Sequence, residues 1–252
     1  MPTEYTNDYL LDKKVKIFQP TNGYRASSDA VLLSAMADDI KSGSRILDVG
    51  SGTGAISLCL AQRLQKQEVE IHGLELQTEL AELANLSAAA NGFSFVRFHP
   101  ADIRQKITSE NILPCSFDVV ISNPPYSEHD MPSPNKSKAT AHNQYDFSLE
   151  KWVLFCLKMA KPFGRIYLVH RAEALPQICS ALQGKAGNLT ILPLYSKNAQ
   201  NAKRVIVSAQ KDSKAPCKIL PPFVIHDDAG KYTPAAESIL RQGKTFADIF
   251  RI

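Results

Sequence analysis

Asp48-Val49-Gly50-Ser51-Gly52-Thr53-Gly54 closes a short apolar run, Ser44–Val49, and opens a helical pattern, Ala55–Leu64, in which Ile56, Leu60 and Leu64 share one face. Glycines at such a junction let the backbone turn sharply and approach a ligand closely. A dinucleotide fingerprint spaces them G-x-G-x-x-G and sets a pyrophosphate on the helix N-terminus. Here they run G-x-G-x-G, with an acid two residues ahead. An acidic lip suits a ligand that carries a positive amino group and no phosphate.

Outward from this loop the chain alternates strand and helix. Val69–Leu76 reads as a strand and Thr78–Ala90 as an Ala/Leu-rich helix stopped by Asn91-Gly92. Phe93–Phe98 alternates like a strand, and Phe117–Ser122 is β-branched and apolar. Leu149–Ala160 reads as a helix, Arg165–Val169 as a strand and Glu173–Leu182 as a helix. Strands follow near Leu189–Leu194 and Arg204–Ala209. Such alternation argues for a doubly wound α/β sheet. Two stretches break the rhythm: Met1–Asp39, with one helical pattern at Ser28–Met36, and the polar segment Ser127–Phe147. A loop of about 20 residues inside a compact domain is usually functional.

Acids fall at the ends of successive strands. Glu75 lies 27 residues after Asp48 and can accept both hydroxyls of a ribose. Asp102 follows the third strand in Pro100-Ala101-Asp102-Ile103. Each acid could also serve as a helix cap, but ligands of such sheets bind outside the carboxyl ends of the strands. Asn123-Pro124-Pro125-Tyr126 follows the fourth strand. Its prolines stiffen the backbone, so the Asn123 amide and the Pro124 carbonyl can together accept two hydrogen bonds from one planar NH2 group. Tyr126 can stack on a base.

The glycine loop resembles that of the class I S-adenosylmethionine-dependent methyltransferases. Asn123-Pro124-Pro125-Tyr126 resembles the amino-methyltransferase signature of that superfamily. Phe18-Gln19-Pro20-Thr21-Asn22-Gly23-Tyr24-Arg25-Ala26-Ser27-Ser28-Asp29-Ala30-Val31-Leu32-Leu33 is similar to the upstream segment of the bacterial tRNA(adenine-N(6))-methyltransferase family. That family acts on the adenine 3′ of the anticodon in a valine tRNA. Ala141-His142-Asn143, Lys203-Arg204-Val205 and Phe223–Thr233 extend the likeness over most of the chain. The resemblance implies a Rossmann-like, mostly parallel seven-stranded sheet with helices on both faces. It implies S-adenosylmethionine as cofactor, held by Asp48, Gly50, Gly52, Gly54, Glu75, Asp102 and Ile103. Gln19 and Arg25 to Asp29, Ser28 among them, would lie near the methionine end, although Ser28 or Asp29 can equally cap the helix that follows. Asn123, Pro124, Pro125 and Tyr126 would form the catalytic turn.

Composition bounds the rest. Residues 185–252 hold 11 Lys/Arg against 5 Asp/Glu, while residues 1–184 hold 18 against 20. The basic excess is either a solvated surface or a nucleic-acid contact face. On the second reading Lys136, Lys138, Lys203 and Arg204 contact tRNA. The five cysteines have no metal-binding spacing and read as free thiols of the cytosol, three of them in the core. No metal is implied. No run of 18 uncharged apolar residues exists and the N-terminus lacks a signal-peptide stretch, which excludes a membrane span and predicts a cytoplasmic enzyme. A monomer is expected, although nothing in the sequence fixes the oligomeric state. A single domain is expected over residues 1–252. It divides into a segment at 1–40 on the cofactor and substrate side, a core at 41–212 and an appendage at 213–252.

The alternative is a glutamine methyltransferase acting on translation release factors. Such enzymes share the Asn-Pro-Pro-Tyr turn but carry a helical domain in front, and 47 residues precede Asp48 here. A cofactor-binding module without catalysis would not need Asp48, Glu75 and Asn123 together. Methylation of a pyrimidine carbon would require a nucleophilic cysteine in the site, and Cys115 lies at the wrong end of its strand.

Overall fold

Strand β3 (Arg45–Val49) is an inner strand of the sheet. In this computed structural model, which describes residues 4–22, 25–107, 109–126 and 147–250, it is flanked on both sides by parallel partners. A strand covered on both faces must be apolar throughout, and Ile46, Leu47 and Val49 are all buried. On one side lie β4 (Glu70–Glu75) and β5 (Val96–Pro100); on the other lie β6 (Phe117–Ser122) and β7 (Ala160–Arg171). Strand β9 (Arg204–Lys211) returns antiparallel between β7 and β8 (Ala186–Tyr195). These seven strands are the expected sheet. Two-residue strands β10 (Lys218–Ile219) and β11 (Phe223–Val224) extend its edge along β8 to nine. Segments that short carry no alternation to read.

Helices cover both faces. Helices α1 (Ser28–Met36), α2 (Ala55–Leu64) and α3 (Thr78–Ala90) pack on the face of Ile46, Val119 and Ile121. Helices α4 (Leu149–Met159) and α5 (Leu175–Leu182) pack on the face of Leu47, Val49 and Val120. Alternate residues of one strand thus feed two cores. Helix α2 is buried almost all round, a wider apolar surface than the Ile56–Leu60–Leu64 stripe. Helices α6 (Pro234–Leu240) and α7 (Phe246–Phe250) join the first core through Ile239 and Phe246.

The N-terminal segment holds more than the expected helix. An antiparallel hairpin, β1 (Tyr5–Leu10) with β2 (Val15–Pro20), precedes it. Val15, Ile17 and Gln19 point inward. The free edge of β2 finds partners on α3: Lys16 N donates to Asn91 Oδ1 at 2.8 Å, and Phe18 N to Ser87 Oγ at 2.9 Å. Side chains of a helix here do the work of a neighbouring strand.

Two smaller expectations need correcting. Only Cys59 and Cys156 are buried; Cys179 is half-buried on α5, and Cys115 and Cys217 are exposed. The core therefore takes two cysteines rather than three, because α5 presents Ile178, Ala181 and Leu182 inward instead. Strand β7 is longer than Arg165–Val169 because it begins at the end of α4, where Ala160 pairs with Phe117 of β6, and continues to Arg171 opposite Arg204 of β9.

Candidate active site

The chain leaves β3 to build β4 and β5 on one side, then crosses back to place β6 on the other. The carboxyl ends of β3 and β6 therefore face a crevice where the winding direction switches. A cavity of about 580 Å³ lies there, lined by Gly50, Gly52, Glu75, Asp102, Asn123 and Tyr126 among others. That volume is ordinary for a small-molecule site.

The glycine loop is its floor. Gly50 and Gly54 adopt φ of +72° and +86°, a region that disfavours any residue with a Cβ. A Cβ on Gly50 would stand 2.8 Å from the Trp152 ring, and one on Gly54 would stand 2.6 Å from Phe98. Trp152 Nε1 donates to Ser122 Oγ at 2.9 Å, and Ser122 Oγ donates to the Val49 carbonyl at 2.6 Å. This relay ties the end of β6 to the end of β3, so the glycine loop and the Asn-Pro-Pro-Tyr turn keep one relative position.

The acids differ in setting. Glu75 lines the cavity; its Oε2 accepts from Gly52 N at 2.8 Å and its Oε1 from Gln77 N at 2.9 Å. Each carboxylate oxygen retains a lone pair for a ligand hydroxyl. Burial raises the Glu75 pKa above its ordinary value. Asp48 lies beneath the loop, fully buried, and is not part of the cavity wall. Its Oδ2 accepts from Ser57 Oγ at 2.8 Å, while its Oδ1 has no hydrogen-bond partner. Burial pushes its pKa up to about 7, against the lowering effect of Ser57. Asp102 lines the cavity beside Ile103, but its carboxylate is gripped by Arg104, with Nη2 at 2.7 Å from Oδ2. That hydrogen bond holds its pKa below the usual range.

The Asn-Pro-Pro-Tyr turn forms the opposite wall. Asn123 Oδ1 is buried there and has no partner. A buried, unsatisfied acceptor is disfavoured by roughly 1–3 kcal/mol, so an amide oxygen left open at a cavity wall is arranged for a donor that enters from the cavity. Tyr126 donates its hydroxyl to Asp29 Oδ2 at 2.7 Å and meets the His170 ring edge-on at 5.2 Å. Burial, and then the Asp29 charge, raise the Tyr126 pKa, so the hydroxyl keeps its proton.

A methyltransferase-domain family matches residues 40–211 of this chain. The tRNA1(Val) (adenine(37)-N6)-methyltransferase of Porphyromonas gingivalis is 32% identical over 182 residues, which span 71% of this chain and 69% of the relative. The chain belongs to the tRNA1(Val) (adenine(37)-N6)-methyltransferase family. A second relative of the same name, from Dyadobacter fermentans, is 25% identical over 93% of this chain and 96% of its own length. Among solved structures, one described as a predicted O-methyltransferase from Agrobacterium tumefaciens superposes with a TM-score of 0.69. It is 25% identical, over 86% of this chain and 97% of its own. An S-adenosylmethionine-dependent O-methyltransferase from Thermotoga maritima, 17% identical, has a TM-score of 0.52 over 77% of this chain and 68% of its own. The second of these likenesses speaks to fold alone.

Set against the family's methyltransferase fold, the expected site residues divide. Gly50, Gly52, Glu75, Asp102, Ile103, Asn123, Pro124, Pro125 and Tyr126 meet at one cavity. Arg25 does not line it; its Nη2 binds Asp8 Oδ2 at 2.7 Å and anchors the hairpin. Ser28 is exposed at the start of α1, whose N-cap is Ser27, and does not line the cavity either. Lys203 is exposed, whereas Arg204 turns toward Asp29 and Tyr126. Lys136 and Lys138 lie outside the described residues. Trp152, Gln77 and Arg171 also line the cavity and were not expected. Trp152 had a readable signal, a lone tryptophan on an apolar helix face after the polar segment; Arg171 at a strand end had none. Among the described residues, no group of three or more His, Cys, Asp and Glu is placed to hold a metal ion, and no helix is long and apolar enough to cross a membrane.

Proposed function

We propose that this chain transfers a methyl group from S-adenosylmethionine to the exocyclic N6 amine of an adenine in the anticodon loop of a tRNA. It does so as one methyltransferase domain over residues 1–252, in the cytosol. The open Asn123 Oδ1 at the cavity wall carries the reading. An adenine amine is a poor nucleophile because its lone pair is delocalised into the ring. Asn123 Oδ1 and the Pro124 carbonyl accept its two hydrogens, which favours a tetrahedral nitrogen with its lone pair directed out of the ring plane. The work is positioning and electrostatics, without a strong base. A hydroxyl acceptor offers one hydrogen and leaves one of those two oxygens without a partner.

The residues of the other wall fit the cofactor. Glu75 has lone pairs left for both ribose hydroxyls, and Ile103 and Leu80 offer apolar contact to a purine. Bound there, S-adenosylmethionine supplies the methyl on a positively charged sulfur. The relatives' names support tRNA as the acceptor, and an anticodon-loop base is already unpaired, so little energy opposes its entry. The test offers purified tRNA and release factor separately with labelled cofactor. Label recovered as N6-methyladenosine supports the reading. Label in the protein alone replaces it with the glutamine alternative.

A further inference from the structure

Tyr126 is held by three elements distant in sequence. Its hydroxyl donates to Asp29 Oδ2 in the first turn of α1 at 2.7 Å. Arg204 Nε, at the start of β9, stands 3.2 Å from both Asp29 Oδ2 and Tyr126 Oη and closes a triangle. The β7–β9 register sets Arg171 directly opposite Arg204. Both guanidinium groups lie over the Tyr126 ring, with Arg204 Cζ at 4.6 Å from its centroid and Arg171 Cζ at 5.3 Å. The Asp29 side chain is 13% exposed and that of Arg204 31%, so the triangle is largely shielded from water. Charge-assisted hydrogen bonds are stronger in such a setting.

Ser27, not Asp29, stands at the N-cap position of α1, and the Asp29 carboxylate is engaged instead by Tyr126 and Arg204. Arg204, engaged twice through Nε, is not displayed to solvent as a phosphate contact would be. We infer that Asp29 and Arg204 are positioning residues, which act through the Tyr126 hydroxyl to fix the ring on which the acceptor base stacks. This deepens, and rests on, the reading of the cavity as an amino-methyltransferase site. An unpinned tyrosine would sample rotamers and lose that freedom when a base arrived. A ring ordered beforehand presents its face without that loss, and the base amine reaches Asn123 in register. The arrangement also gives the N-terminal segment a part in the site, because α1 supplies the one carboxylate of the triangle.

The test is a cycle of variants read by single-turnover methylation of tRNA, with cofactor affinity measured by calorimetry. Asp29→Ala is expected to slow methyl transfer about tenfold while cofactor affinity stays as in the wild type. Tyr126→Phe, which keeps the ring, is expected to slow it by the same factor. The double variant should be no slower than either single one, because both changes remove the same contact. Asp29→Asn keeps an oxygen for the tyrosine hydroxyl and should recover the rate to within about threefold of wild type. Losses that multiply in the double variant, or an Asp29→Ala enzyme of wild-type rate, would overturn the inference. So would a failure of Asp29→Asn to recover activity. Should Asp29→Ala not fold, Arg204→Met takes its place in the cycle with the same expectations. A wild-type enzyme that leaves no methyl group on tRNA adenine defeats the functional reading itself, an outcome separate from all of these.

Discussion

Asn123 carries the amine-binding reading by itself, because its Oδ1 is buried and unmatched. Asn123→Ala is expected to lower single-turnover methylation by about a hundredfold or more, the scale of losing one preorganised polar group. Cofactor affinity, measured by calorimetry, should change little. Glu75 makes a different prediction from the one its sequence position suggests. It holds Gly52 N as well as facing the cavity, so Glu75→Ala removes a ligand acceptor and loosens the loop together. Each charged acceptor lost is worth roughly 1.5–3 kcal/mol, and cofactor affinity should fall by about tenfold or more. An unchanged calorimetric affinity in a folded variant would take Glu75 out of the site. Asp48 gives a pH signature. Its folded pKa, about 7, lies above the ordinary value of 3.8. Between those values the native state binds a proton that the unfolded state has released. The ligand-free protein therefore loses stability as pH rises through this window, by an amount on the order of 4 kcal/mol. Asp48→Asn should flatten that part of the melting-temperature profile. A variant that keeps the full slope would assign it to another group.

Elements carry the next set of expectations. The relay from Trp152 through Ser122 to the Val49 carbonyl joins α4, β6 and β3. Gly50 must stay small because the Trp152 ring occupies the space of its Cβ. Gly50→Ala should therefore strain the loop and weaken cofactor binding together, through both its left-handed φ and the overpacking, which is typically about 1–3 kcal/mol. Asn91 does comparable work for the hairpin: its side chain accepts from Lys16 N at 2.8 Å and donates to the Lys16 carbonyl at 2.7 Å. Asn91→Ala leaves two strand groups without partners, an effect of roughly 1–3 kcal/mol. Hydrogen exchange should then speed up along β2 while β3 and β6 stay protected, and uniform exchange across the sheet would contradict this account. Helix bounds were readable where local chemistry set them: Ser148 caps α4, and Asn91-Gly92 ends α3. The hairpin was not readable, since Asn7 and Asp8 are poor strand formers and β2 is completed by side chains of α3.

At the scale of the molecule, the net charge of +4 conceals a basic C-terminal quarter. If that quarter meets tRNA, affinity should fall with salt by a log–log slope of roughly 0.7 per phosphate contact on single strands. Three such contacts would weaken binding by about twentyfold between 50 and 200 mM salt. Lys203, exposed beside the site, is the residue to replace, because Arg204 is bound to Asp29 and Tyr126. Lys203→Ala should reduce the slope and leave cofactor affinity unchanged. An unaltered slope would place the phosphate contacts elsewhere on the surface.

The sequence determined the sheet's alternation, the glycine loop, the acids at the strand ends and the Asn-Pro-Pro-Tyr turn. Each is a short-range pattern, in which neighbouring residues fix a backbone geometry. Local pattern also brought Glu75, Asp102 and Asn123 to one crevice, because strand ends of a doubly wound sheet converge at the switch in winding. Tertiary structure alone decided which acids face the cavity. The β3–β4 register sets Asp48 opposite Gly73, two residues deeper in the sheet than Glu75, so one acid is sealed beneath the loop and the other lines the cavity. The triangle of Asp29, Tyr126 and Arg204 was likewise invisible, since its members stand 97 and 175 residues apart along the chain. Only the packing of α1 over the sheet and the antiparallel return of β9 bring them together, and no local periodicity encodes a contact between side chains so distant in sequence.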